Sequence, residues 1–126
     1  MENNKLDTLK VNVLGTEYEV NKYKYHDKPA FEKHKINGYC DNILKEIAYV
    51  DMSTYPHYED ETEESLRLLE KQTTRHEIVH AFLAESGLCD NSNEFEKGWA
   101  TNEEMVDWIA IQFPKILKAF QDVECI

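Results

Sequence analysis

Thr73-Thr74-Arg75-His76-Glu77-Ile78-Val79-His80-Ala81-Phe82 is the stretch on which the reading of this chain turns. Residues four apart on a helix lie one above the other, with Cβ atoms about 5–6 Å apart. His76 and His80 can therefore reach one metal ion. Glu77 projects roughly 100° round the helix from His76, at 3.6 residues per turn. It can approach a metal-bound water without ligating the metal, which is the physical content of the H-E-x-x-H zinc pattern. Two histidines at this spacing are ordinarily a pair of half-buried or surface imidazoles. The glutamate between them argues otherwise, because burying an acid is costly unless it is paired or given a task.

The pattern needs a helix, and the flanking residues predict one from about Glu61 to Ser86. Asp60 is placed as its N-cap with Glu63 three residues on, and Glu61, Glu63 and Glu64 suit the positive end of the helix dipole. Gly87 suits a left-handed stop. Leu69, Thr73, His76, His80 and Leu83 follow one another at three- and four-residue steps, a stripe expected to face the interior or a cleft. Ile78, Ala81, Phe82 and Ala84 make the later half apolar nearly all round, as in a central helix.

Upstream, Leu9, Val11 and Val13 alternate, Gly15-Thr16 breaks the run, and Tyr18, Val20 and Tyr23 resume it, which predicts a β-hairpin. His26 to Lys35 is charged and holds Pro29, and reads as a loop or short irregular piece. A second hairpin is expected over Asn37–Asp41 and Ile43–Asp51, turning at Asp41-Asn42. Ile47 and Tyr49 share one face and Ala48 and Val50 the other, so this strand should be buried on both sides. Residues 52–60, with Pro56 and the Tyr55, His57, Tyr58 cluster, read as the crossover loop. Residues 88–100 hold Asn91, Ser92, Asn93 and Gly98 and read as another. A second helix is expected from Thr101 or Asn102 towards Phe120, kinked or broken at Pro114. The fold class is α+β: a small, mainly antiparallel sheet packed on a long helix and a C-terminal one.

At 126 residues, 1–126 is most simply a single domain. The 41% apolar and 31% charged composition fits a folded globular chain rather than a disordered one. A formal net charge of −11 excludes nucleic acid as the expected partner, since binding phosphates takes clustered Lys and Arg. Three cysteines, odd in number and without C-x-x-C spacing, point to a reducing compartment. No apolar run reaches a membrane span and the first residues lack a signal peptide's apolar core. The expected location is the cytoplasm.

A catalytic metal usually takes three protein ligands and leaves one position to water. Glu103 and Asp107, four apart in Asn102–Ala110, share a helix face. Glu103 can supply the third ligand while Asp107 hydrogen-bonds the far nitrogen of a ligating histidine. Glu104, three residues after Thr101, suits a capping box instead. All three acids would equally suit a helix N-terminus without any metal.

His76-Glu77-x-x-His80 followed by Glu103-x-x-x-Asp107 resembles a gluzincin. The sheet-then-helix order and the Glu103 to Ala110 segment resemble the ImmA/IrrE-like metallopeptidases of phages and mobile elements, over about residues 37–113. Val106 departs from the small residue usual there. The resemblance implies a zincin-like fold, Zn2+ held by His76, His80 and Glu103, Glu77 as general base, and a peptide or protein substrate, for instance a regulator of a phage or mobile element. Tyr55, His57 and Tyr58 are candidates to stabilise the oxyanion. Two rival readings stand beside it. One is a zinc-binding interaction module that does not cut. The other is a peptide deformylase-like hydrolase with Cys40 as a ligand, although the Gly-Cys-Leu context and Gly-rich loop of those enzymes are absent.

Overall fold

In a computed structural model that describes residues 4–89 and 98–126, β1 (Asp7–Val13) and β2 (Thr16–Tyr23) form the first hairpin. Its turn uses Leu14 and Gly15 at φ 51° and 94°. Two consecutive positive φ values match the right-handed twist of the flanking strands. The second hairpin is β3 (Gly38–Asp41) and β4 (Glu46–Val50). Its second strand starts three residues later than expected, because Asp41 Oδ1 accepts the amides of Ile43 and Leu44 and holds them in the turn.

The sheet order is β1-β2-β4-β3, with β2 and β4 parallel and the other two pairings antiparallel. The sheet is therefore mixed, and β4 is central. Ile47 packs with Tyr18, Val20 and Ala81 on one face, while Ala48 and Val50 pack with Tyr23, Phe31 and Met52 on the other. Tyr23 lies on the opposite face from Tyr18 and Val20, as a period of two requires. Each fully buried Ile or Phe contributes on the order of 1.5–3 kcal/mol.

Residues 26–35 are not a loop. Tyr25–Asp27 forms a 3-10 turn, and α1 (Pro29–His34) follows with proline at its start. Proline suits that position, since its missing N–H would go unpaired there anyway. Phe31 is the one fully buried residue of α1 and anchors it on the second face.

Helix α2 (Glu63–Glu85) covers the first face. Its cap is Thr62, whose side chain accepts from the Ser65 amide, and not Asp60. The buried residues are Thr73, Glu77 and Ala81, so the innermost stripe runs through Glu77, and the histidines flank it, half-buried. Glu70 binds Lys22 Nζ at 3.0 Å and the Met52 amide at 3.0 Å. Near the other end, Glu85 accepts from Tyr18 OH at 2.7 Å and Lys45 Nζ at 2.6 Å. Pinned at both places, α2 holds its middle fixed over β3 and β4.

Helix α3 (Glu103–Asp122) is capped by Asn102 through the Met105 amide, and Thr101 instead donates to Gly98 O. The capping box with Glu104 does not form. The helix continues through Pro114. The expected loop at 88–100 falls largely on residues 90–97, outside the described residues; Trp99–Thr101 is a 3-10 turn. Phe82 is 40% exposed, so the later half of α2 is not buried all round. Ile78, Val79, Phe82 and Leu83 meet Ile109 and Phe113 in an open apolar groove. Among the described residues no helix is long and apolar enough to cross a membrane.

Candidate metal centre

Three donors converge where α2 and α3 face β3. His76 Nε2 and His80 Nε2 are 3.2 Å apart. Glu103 brings Oε2 to 3.5 Å from His76 Nε2 and Oε1 to 2.6 Å from His80 Nε2. A metal ion held tetrahedrally by bonds of about 2.0–2.1 Å spaces its ligand atoms about 3.3 Å apart. The two imidazole nitrogens already stand at that spacing, and Glu103 approaches each of them through a different carboxylate oxygen. His76, His80 and Glu103 could hold a metal ion. Glu104 and Cys40 are outside this group among the described residues.

Asp107 Oδ1 lies 2.7 Å from His76 Nδ1. A carboxylate there can accept a proton from Nδ1, an arrangement that leaves Nε2 as the nitrogen able to offer its lone pair to a metal. Burial holds His80 below the usual histidine range, against the opposing pull of Glu103, which favours the uncharged ring that a metal would need. Glu77 is 7% exposed and pushed up to about 7, chiefly by burial; His76 pulls the other way, and Glu103 and Asp107 add to the rise. Its Oε1 lies 3.7 Å from His76 Nε2, beside the convergence point rather than in it.

A proline opens one of the contacts that hold the helix of Glu103 and Asp107 on α2. Pro114 has no N–H, so the carbonyl of Ala110, four residues earlier, has no helical partner. Arg75 Nε donates to Ala110 O at 2.6 Å. A residue adjoining His76 thus fastens α3 at the place where its helical ladder is open.

The cleft continues on both sides of the donors. On the His76 side Lys35, Asn37, Tyr55, Gln72 and Thr73 line it. Tyr39, Cys40, Asn42, Ala84 and Cys89 line the His80 side. Gly38, Glu77 and Glu103 belong to both. A Cβ on Gly38 would stand 2.6 Å from Thr73 Cγ2, 3.2 Å from Ala48 O and 3.4 Å from Glu77 Cγ. The missing side chain lets β3 lie directly against Glu77. Tyr55 lines the cleft, whereas His57 and Tyr58 do not and instead pack round Tyr55. Burial pushes the Cys40 thiol up to about 12, with Glu77 adding to it, which suits an inert thiol.

No protein-family model, curated protein or solved structure matches this chain. Its chemistry is read from its own geometry. The sequence pattern named the histidines, Glu77, Glu103, Asp107 and Tyr55 and set Thr73 on their stripe, but missed Gly38, Lys35, Gln72 and the Arg75–Ala110 link. For Gly38 the only available signal was a glycine at the start of a strand. For Arg75 it was the proline that strands a carbonyl. Because β4 is paired on both sides, Ile47–Val50 does not form the cleft rim; the strand beside the cleft is β3.

Proposed function

We propose that this chain is a zinc-dependent peptidase of zincin-like build, with His76, His80 and Glu103 as metal ligands and Glu77 as general base. The observation that carries the reading is a buried glutamate, raised to about 7, beside two imidazole nitrogens 3.2 Å apart and a carboxylate that reaches both. Two imidazoles and a carboxylate are a catalytic zinc donor set that leaves a fourth position open. Zinc bound there supplies a water of lowered pKa and polarises the scissile carbonyl.

The chain's own residues do the rest. Glu77 takes a proton from the attacking water and returns it to the leaving amine; a base raised towards the working pH can do both. Asp107 keeps His76 in the ligating tautomer. The outer edge of β3, which among the described residues pairs with no further strand, offers backbone groups to an extended peptide. Tyr55, which lines the cleft, is the candidate to meet developing negative charge. A regulator of a phage or mobile element is a fitting substrate on the resemblance of the motifs.

Purified protein should take up zinc one to one, and His76→Ala or His80→Ala should abolish this. Glu77→Gln should keep the zinc and lose roughly 100- to 10,000-fold in peptide turnover. Failure to load zinc on reconstitution would defeat the metal reading. Glu77→Gln protein that kept full biological function would instead favour an interaction module that binds without cutting.

A further inference from the structure

Lys35 is the sole Lys or Arg among the described residues lining either half of the cleft. The other charged groups there, Glu77, Glu103 and Asp107, are all acidic. Despite these neighbours, no ion pair within the described residues involves Lys35. It is exposed, and its amine is left for something else.

The backbone at this residue is a second, independent observation. Lys35 ends α1 at φ 55°, ψ 48°, and its amide bonds to the Glu32 and Phe31 carbonyls. Helix stops of this left-handed kind favour glycine, or asparagine, because Cβ is crowded there. The side chain thus occupies a position where its absence would relieve strain. Strain persisting at the wall of a candidate active site points to a use for the side chain.

We propose that Lys35 selects substrates carrying a carboxylate, an Asp or Glu side chain close to the scissile bond on the His76 side of the cleft. This rests on the peptidase reading given above. An acidic side chain placed elsewhere in the cleft meets like charge or the uncharged walls beside His80. Placed toward Lys35 it meets the one Lys or Arg side chain that lines the cleft among the described residues. Lys35 is solvated, so the preference is moderate and sensitive to salt.

The test uses zinc-loaded full-length protein and peptides blocked at both ends, with Asp, Glu, Gln or Lys scanned through each position and products identified by mass. The best Glu peptide should exceed its Gln isostere about 5-fold in kcat/KM, and the ratio should shrink at about 0.5 M salt. Lys35→Glu should turn the preference towards Lys. Lys35→Gly should remove the discrimination yet raise Tm, since glycine fits the left-handed backbone; a residue kept only for structure would not do both. The same peptides are titrated against zinc-loaded Glu77→Gln protein, reading affinity without turnover. Absence of cleavage with a Lys35-dependent affinity for acidic peptides would sink the peptidase reading alone. Equal kcat/KM and equal affinity for Glu and Gln peptides, or a preference untouched by Lys35→Glu, would overturn the role of Lys35.

Discussion

Glu77 shows how one side chain sets stability against chemistry. Its carboxyl is raised to about 7 by burial, from an ordinary 4.5. A raised acid contributes stability that is fully present below its unfolded pKa and is lost as pH climbs through the folded one. Metal-free protein should therefore weaken between about pH 4.5 and 8. At pH 8 Glu77→Gln should be more stable than the parent by up to about 3 kcal/mol, with the gap closing towards pH 4. Urea unfolding in chelator at the two pH values measures it; a constant gap would disprove the linkage. Gly38 gives a second residue-scale expectation, because an added methyl meets Thr73 Cγ2 at 2.6 Å. Gly38→Ala should cost about 1–3 kcal/mol. Thr73→Ser, which deletes that Cγ2, should recover part of the loss in a double-mutant cycle, and strictly additive costs would show the contact to be irrelevant.

Among the elements, α3 depends on a bond that neither helix predicts alone. Arg75→Ala should leave the Ala110 carbonyl unpaired at a cost of about 1–3 kcal/mol. Pro114→Ala returns an N–H to the ladder, so the same arginine change should cost less in that background. Thermal or urea denaturation of the four proteins reads the coupling, and equal costs in both backgrounds would refute it. Zinc ligated by His76, His80 and Glu103 would also tie α3 to α2. Chelation should then raise amide exchange over Glu103–Ala110 more than over the centre of β4, while a uniform change would argue against a tie at that place. The pattern of what was legible follows the range of the interactions. His76, His80 and the Glu103/Asp107 spacing follow from the helical period, so the sequence carried them. Helix α1 was hidden because Pro29 reads as a breaker unless the burial of Phe31 is known. Thr62 and Asn102 as caps, in place of Asp60 and Thr101, were choices between adjacent polar residues that local pattern does not separate. Gly38 and the edge position of β3 depend on which strands become neighbours, and no local pattern encodes that.

For the whole molecule, the order β1-β2-β4-β3 has a consequence for how the chain comes into being. Its central strand is the last of the four to be synthesised, and it must enter between two strands that precede it. Until Val50 has emerged, β2 presents an unpaired edge beside the apolar Tyr18 and Val20. Such an edge is a template for pairing with another chain. Arrival of β4 pairs both neighbours, but its face against Ile47 and Val20 stays open until α2 follows. The histidines therefore come together only after the sheet they rest on is complete, and the chain is most exposed to misassembly before the half that carries His76, His80 and Glu103 exists.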